Sequence, residues 1–201
     1  MNAKKIVTAG LALVMVAGIS VAGTLAFLTD DTGPVTNTFT VGAGVAIALD
    51  EAKVGDDGKE IVGEGAGRVY ENDYNPIPGG TYDKDPTVHV TGDDCFVFVK
   101  VTNEISGAEA TDNTIANQIL NKWTAVSGKS GVYFYDEDKD GVPDTKSEGD
   151  DCVVFENFSI KSLSNDEYKA LNGKRITVTA FAIQAENMDL ATATTQLPTG
   201  W

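Results

Sequence analysis

Apolar and polar residues alternate with a period of two along much of this chain, the pattern of strands with one buried face. In 35–41, Val35, Phe39 and Val41 share one face and three threonines occupy the other. After a glycine break, Val45, Ile47 and Leu49 alternate with alanines up to an acidic stop at Asp50-Glu51. Val88 and Val90 flank His89 in a short strand that ends at Gly92. From Cys95 to Thr102 the chain is nearly continuously apolar and β-branched, which predicts a strand covered on both faces. Further strands are predicted over 131–136, 152–160 and 175–185, the last through Ile176, Val178, Phe181 and Ile183.

Helical spacing is confined to two places. Ile115, Ile119, Leu120 and Trp123 predict a helix over 112–122 capped by Thr111 or Asp112 and packed on the sheet. Ser164 with Glu167 forms a capping-box pattern for a short helix that Gly173 stops. Residues 54–59 and 76–80 carry turn chemistry. Short strands separated by turns, with small helices between them, predict a mainly β protein: a jelly-roll-like β-sandwich with one or two short helical insertions.

The two ends depart from this pattern. Residues 1–26 combine Lys4 and Lys5, an uncharged apolar run from Ile6 to Ala22, and small residues at Thr24 and Ala26. That is the layout of a secretory signal peptide cut between Ala26 and Phe27, the alternative being an uncleaved membrane anchor. The expected organisation is therefore a signal peptide over 1–26, an amino-terminal segment over 27–44, a β-sandwich domain over 45–186, and a flexible Ala/Thr-rich tail over 187–201. Leu197-Pro198-Thr199-Gly200 lacks the residue that a sortase motif places between proline and threonine.

Charge narrows the function classes. The chain carries 15 Lys plus Arg against 30 Asp plus Glu, a formal net charge of -15. Loss of a leader holding two lysines and no acid makes this more negative still. Such a polyanion repels phosphate backbones, so nucleic acid is not an expected partner. The single histidine, His89, precludes any zinc site that needs two imidazoles.

Two local patterns carry candidate chemistry. Asp136, Asp138 and Asp140 alternate ahead of Gly141, then Val142 and Asp144, in the order of an EF-hand-type calcium loop. Three carboxylates, the Val142 carbonyl and a water held by Asp144 would surround Ca2+. The twelfth position is Ser147 rather than glutamate, with Glu148, Asp150 and Asp151 nearby, and the other reading is a solvated acidic hairpin. Cys95 and Cys152 each open a predicted strand after an Asp-Asp pair; in an exported protein they form either one disulfide or two buried free thiols. No His-Glu-x-x-His is present and no glycine elbow surrounds any serine, so no enzyme activity is expected.

Residues 23–30, Gly-Thr-Leu-Ala-Phe-Leu-Thr-Asp, followed by Thr36-Asn37-Thr38-Phe39-Thr40-Val41-Gly42, resemble exported proteins processed by the SipW-type signal peptidase, the TasA and camelysin (CalY) family of biofilm-matrix proteins. Pro76–Gly80, the Cys95–Val101 strand and Ile176–Ala185 are similar to the same family. The resemblance implies a secreted jelly-roll subunit at the cell surface or in the biofilm matrix, assembling with itself into extracellular fibres beside other matrix components. In that scheme the freed amino-terminal segment, with Val35, Phe39 and Val41, donates a strand to the next subunit's sheet. A non-polymerising surface-binding protein is the alternative, and a camelysin-like metallopeptidase lacks its expected ligands here.

Overall fold

The computed structural model describes residues 29–32 and 44–201. Twelve strands are present among them: β1 (Thr29–Thr32), β2 (Ile47–Ala52), β3 (Arg68–Val69), β4 (Thr81–Asp83), β5 (Thr87–Val90), β6 (Cys95–Asn103), β7 (Trp123–Ala125), β8 (Val132–Tyr135), β9 (Thr145–Lys146), β10 (Asp151–Val153), β11 (Asn157–Ser159) and β12 (Ile176–Gln184). Three short helices join them: α1 (Ile115–Ile119), α2 (Asn165–Lys169) and α3 (Leu190–Thr195).

The larger sheet runs β1-β12-β6-β8-β7, with β9 pairing the start of β6. The second sheet runs β10-β5-β2-β3, and β11 pairs β4 separately. All of these pairings are antiparallel. The mainly β, sandwich-like architecture expected of the sequence is the one observed.

The near-continuous apolar run of β6 follows from where it sits. Its alternate residues Cys95, Val97 and Val99 enter the main core with Val88, Val90, Trp123, Ala180 and Ala182. Phe96 and Phe98 enter a second core on the opposite face of the sheet, with Phe134, Phe181 and Ile183. A strand covered on both faces has no use for polar alternation.

That second core exists because of the carboxyl-terminal segment. Residues 187–201, expected as a flexible tail, instead carry α3, capped by the Asp189 side chain on Thr192 N–H. Ala193 is buried, and Met188, Leu190, Leu197 and Trp201 pack against the second cluster. Trp201 meets the Phe181 ring edge-on at 6.2 Å. The main-chain carbonyls of Gly200 and Trp201 accept hydrogen bonds from Lys100 and Lys129 respectively.

Three further expectations need correction. The helix predicted over 112–122 occupies only Ile115–Ile119, and Thr114 is its N-cap. Trp123, which shares its apolar spacing, instead starts β7, where its indole N–H donates to the Val153 carbonyl at 2.9 Å. The strand predicted over 152–160 is two strands: β10 pairs β5, whereas β11 pairs β4. Between them, the N–H groups of Glu156 and Asn157 donate to the Gln118 side chain. Asp50-Glu51 does not stop β2, which continues to Ala52 because both acids have cationic partners there.

Candidate functional site

Strand β12 has two unlike edges. On one, all nine residues pair in register with β6, from Ile176 opposite Asn103 to Gln184 opposite Cys95. On the other lies β1, only four residues long, with Thr29 opposite Ile183 and Thr32 opposite Ala180. Its sequence is Thr-Asp-Asp-Thr. Aspartate is depleted in strands because its short side chain competes for backbone groups. A ladder bond contributes a net of roughly 1 kcal/mol, and ordering a residue's backbone costs roughly 1–2 kcal/mol. Four such residues therefore gain little from pairing alone.

Thr29–Thr32 thus belongs to its own chain's sheet, the intramolecular arrangement of the segment. The other residues named for the amino-terminal region, Ala26, Phe27, Val35, Phe39 and Val41, lie outside the described residues.

Beside the opening half of β12 runs a groove of about 1000 Å³. Its apolar lining includes Leu49 of β2, Ile105, Phe158 of β11, Leu171 beyond α2, and Ile176 and Val178 of β12. The groove therefore lies along the part of β12 that β1 does not reach. Its other wall is polar, with Glu51, Asn72 and Lys84. Glu51 is buried and pairs with Lys84 and with the Asn72 amide, at 3.0 Å for the latter.

The acidic loop follows β8. Asp136 is fully buried, and its Oδ2 accepts from Thr124 Oγ1 at 2.5 Å and from Gly141 N–H at 3.3 Å. Asp138 accepts from Asp140 N–H, and Asp140 accepts from Val142 N–H at 2.7 Å. Ligand oxygens of Asp136, Asp138 and Asp140 lie within 4.8 Å of one another. Asp144 is turned to the Glu137 N–H at 2.8 Å. Ser147 bonds Asp94, Asp150 takes Ser147 N–H, and Asp151 takes His89, so these side chains are engaged away from the three aspartates. Val142 is exposed. Strands, not helices, flank the loop.

A charged cluster on the second sheet escaped the sequence reading. His89 Nε2 lies 2.9 Å from Asp50 and Nδ1 lies 2.5 Å from Asp151. Both ring nitrogens face carboxylates, an arrangement that only the protonated imidazole satisfies as a double donor. Burial opposes that charge, but the hydrogen bonds and charges of Asp50 and Asp151 outweigh it and raise the His89 pKa. Arg68 bridges Asp50 and Asp85 beside it. Alone between two valines in the sequence, His89 gave no sign of partners 39 and 62 positions away.

Cys95 and Cys152 are both free and buried, within one core cluster. Burial raises each thiol to about 12, so neither is a ready nucleophile at neutral pH.

Among the described residues no helix is long and apolar enough to cross a membrane. No family model, curated protein or solved structure matches the chain.

Proposed function

We propose that this protein is a secreted structural subunit of the cell surface or biofilm matrix that polymerises into extracellular fibres by donating its amino-terminal strand. Cleavage after Ala26 frees residues 27–44, and the donated segment replaces a neighbour's own β1 on the outer edge of β12. The observation that carries this reading is the weak four-residue strand on that edge, which leaves the opening half of β12 unpaired on that side among the described residues.

Thr32 faces Ala180, so a donor continuing three residues further would set Val35 opposite Thr177, on the face of β12 that carries Phe181 and Ile183 rather than the face of Ile176 and Val178. Exchange leaves the number of β1–β12 hydrogen bonds unchanged, so they do not decide between monomer and polymer. Side-chain burial does. Val35, Phe39 and Val41 would each gain about 1.5–3 kcal/mol on full burial, which opposes the entropy lost on association. Donor and acceptor surfaces differ, so the contact is head-to-tail and propagates.

A catalytic role has less support, since the ring nitrogens of His89 are both held by carboxylates and the two thiols are buried.

Electron microscopy of the chain beginning at Phe27 tests the proposal. Filaments are expected, and deletion of 27–44 should abolish them while leaving a folded domain. A chain that remains monomeric at high concentration would support the surface-binding alternative. Outright unfolding of the truncated domain would make 27–44 part of its own core.

A further inference from the structure

We propose that the loop from Asp136 to Asp144 is a low-affinity calcium site, which fastens the β7–β8 end of the larger sheet to the chain entering β9.

One carboxylate oxygen of this loop is buried without a donor. Asp136 is fully buried, and Thr124 and Gly141 occupy only its Oδ2. Oδ1 has no hydrogen-bond partner. Buried polar atoms in folded proteins are nearly always paired, because an unpaired one forfeits its hydration. Among the described residues no lysine or arginine forms an ion pair with Asp136, Asp138 or Asp140. The neighbouring cations are directed elsewhere: Lys122 to Glu137, Lys139 to the Trp123 carbonyl, and Lys146 to Asp150. Three carboxylates are thus gathered around a buried acceptor with no cation among the described residues paired to them.

The dimensions select the ion. Calcium takes oxygens at about 2.3–2.6 Å, so ligands around one ion stand up to roughly 5 Å apart. The three aspartates already fall within that span, at 4.8 Å or less. Magnesium demands octahedral oxygens at about 2.0–2.1 Å and gives up its water reluctantly, which fits a partial, open ligand set less well. The chain also turns as such a loop must: Lys139 and Gly141 both adopt positive φ, 61° and 84°.

Affinity follows from the missing ligands. The twelfth position is Ser147 rather than a bidentate glutamate, and Ser147, Asp150 and Asp151 are engaged outside the loop, so water completes the shell. The expected Kd is roughly 10⁻⁴–10⁻³ M, the range of extracellular calcium modules. The ion joins Asp136, tied to Thr124 of β7, to the exposed Asp138 and Asp140 of the loop.

Titration calorimetry of the full chain, stripped with chelator and then given calcium chloride, tests this. One saturable site in the stated range is expected. Asp138→Asn and Asp140→Asn should each weaken it at least tenfold; both side chains are exposed, so the fold survives. Asp56→Asn and Asp57→Asn, exposed acids in a distant turn, should leave it unchanged and so control for diffuse attraction to a polyanion. Terbium luminescence sensitised through Tyr135 and Trp123, and quenched by calcium but not by equal magnesium, should report the same site. No saturable heat up to about 10 mM calcium, ten times the weak limit of the range, overturns the proposal. So does binding that the loop variants and the distant variants alter alike.

Discussion

The two edges of β12 are built on opposite principles. The β6 edge is nine residues long, fully in register, and has apolar side chains entering cores on both faces. The β1 edge is four residues long and half aspartate. The first is an interior seam whose loss would expose two cores. The second is a contact of near-zero net worth, which a better-fitting strand can displace. A sheet that stays folded while exchanging a strand needs both kinds of edge, and this contrast is what supports the proposed strand donation.

Breaking the strong edge should give the largest effect. Phe98 is fully buried on β6, faces Phe181 across the pair and packs on Phe134 with centroids 6.4 Å apart. Phe98→Ala should cost about 3–5 kcal/mol, read from the denaturant midpoint of unfolding. A loss below about 1 kcal/mol would mean that the seam is not the cooperative core of the fold.

Breaking the weak edge should cost far less stability and far more assembly. Adjacent residues in an antiparallel pair alternate in pointing N–H groups at the partner, so Asp30→Pro together with Asp31→Pro must remove one ladder donor. Unfolding free energy should fall by only about 0.5–1.5 kcal/mol, while filament formation is lost. A larger fall in stability would make β1 an integral strand and contradict the contrast.

The second sheet sharpens the comparison, since charge rather than packing holds part of it. The His89 pKa is raised in the folded state, so its contribution is fully present below the ordinary value of about 6.5 and fades as pH rises through the raised value. Stability measured across that window should decline with pH, and His89→Gln should flatten the decline. The effect is the smallest of the three, because Asp151 is largely exposed and salt screens the pair.

Much of this was readable in the chain, and what was not has identifiable causes. Period-two patterning located β2 and β5, the near-continuous apolar run located β6, β-forming residues located β8 and β12, and the Ser164–Glu167 capping box forms as its spacing implies. Local signals failed where a tertiary partner overrode them. Trp123 kept helical spacing with Ile119 but was drawn into β7, and Asp50-Glu51 read as a stop until Arg68, Lys84 and His89 supplied counter-charges. The carboxyl-terminal segment looked loose because its apolar residues are sparse. Met188, Leu190, Leu197 and Trp201 acquire meaning only once the sheet offers a second face. Within the acidic loop the three aspartates were evident from spacing, but the unpaired oxygen of Asp136 required the fold, since β7 brings in Thr124 from 12 positions away.

The most direct test follows the β1–β12 contact itself. Filaments grown from an equal mixture of ¹⁵N-labelled and ¹³C-labelled chains should show, by solid-state NMR, contacts between residues 29–32 of one label and 180–183 of the other. Cross-label contacts are the expected result. Filaments in which 29–32 touch only their own chain's β12 would contradict strand donation.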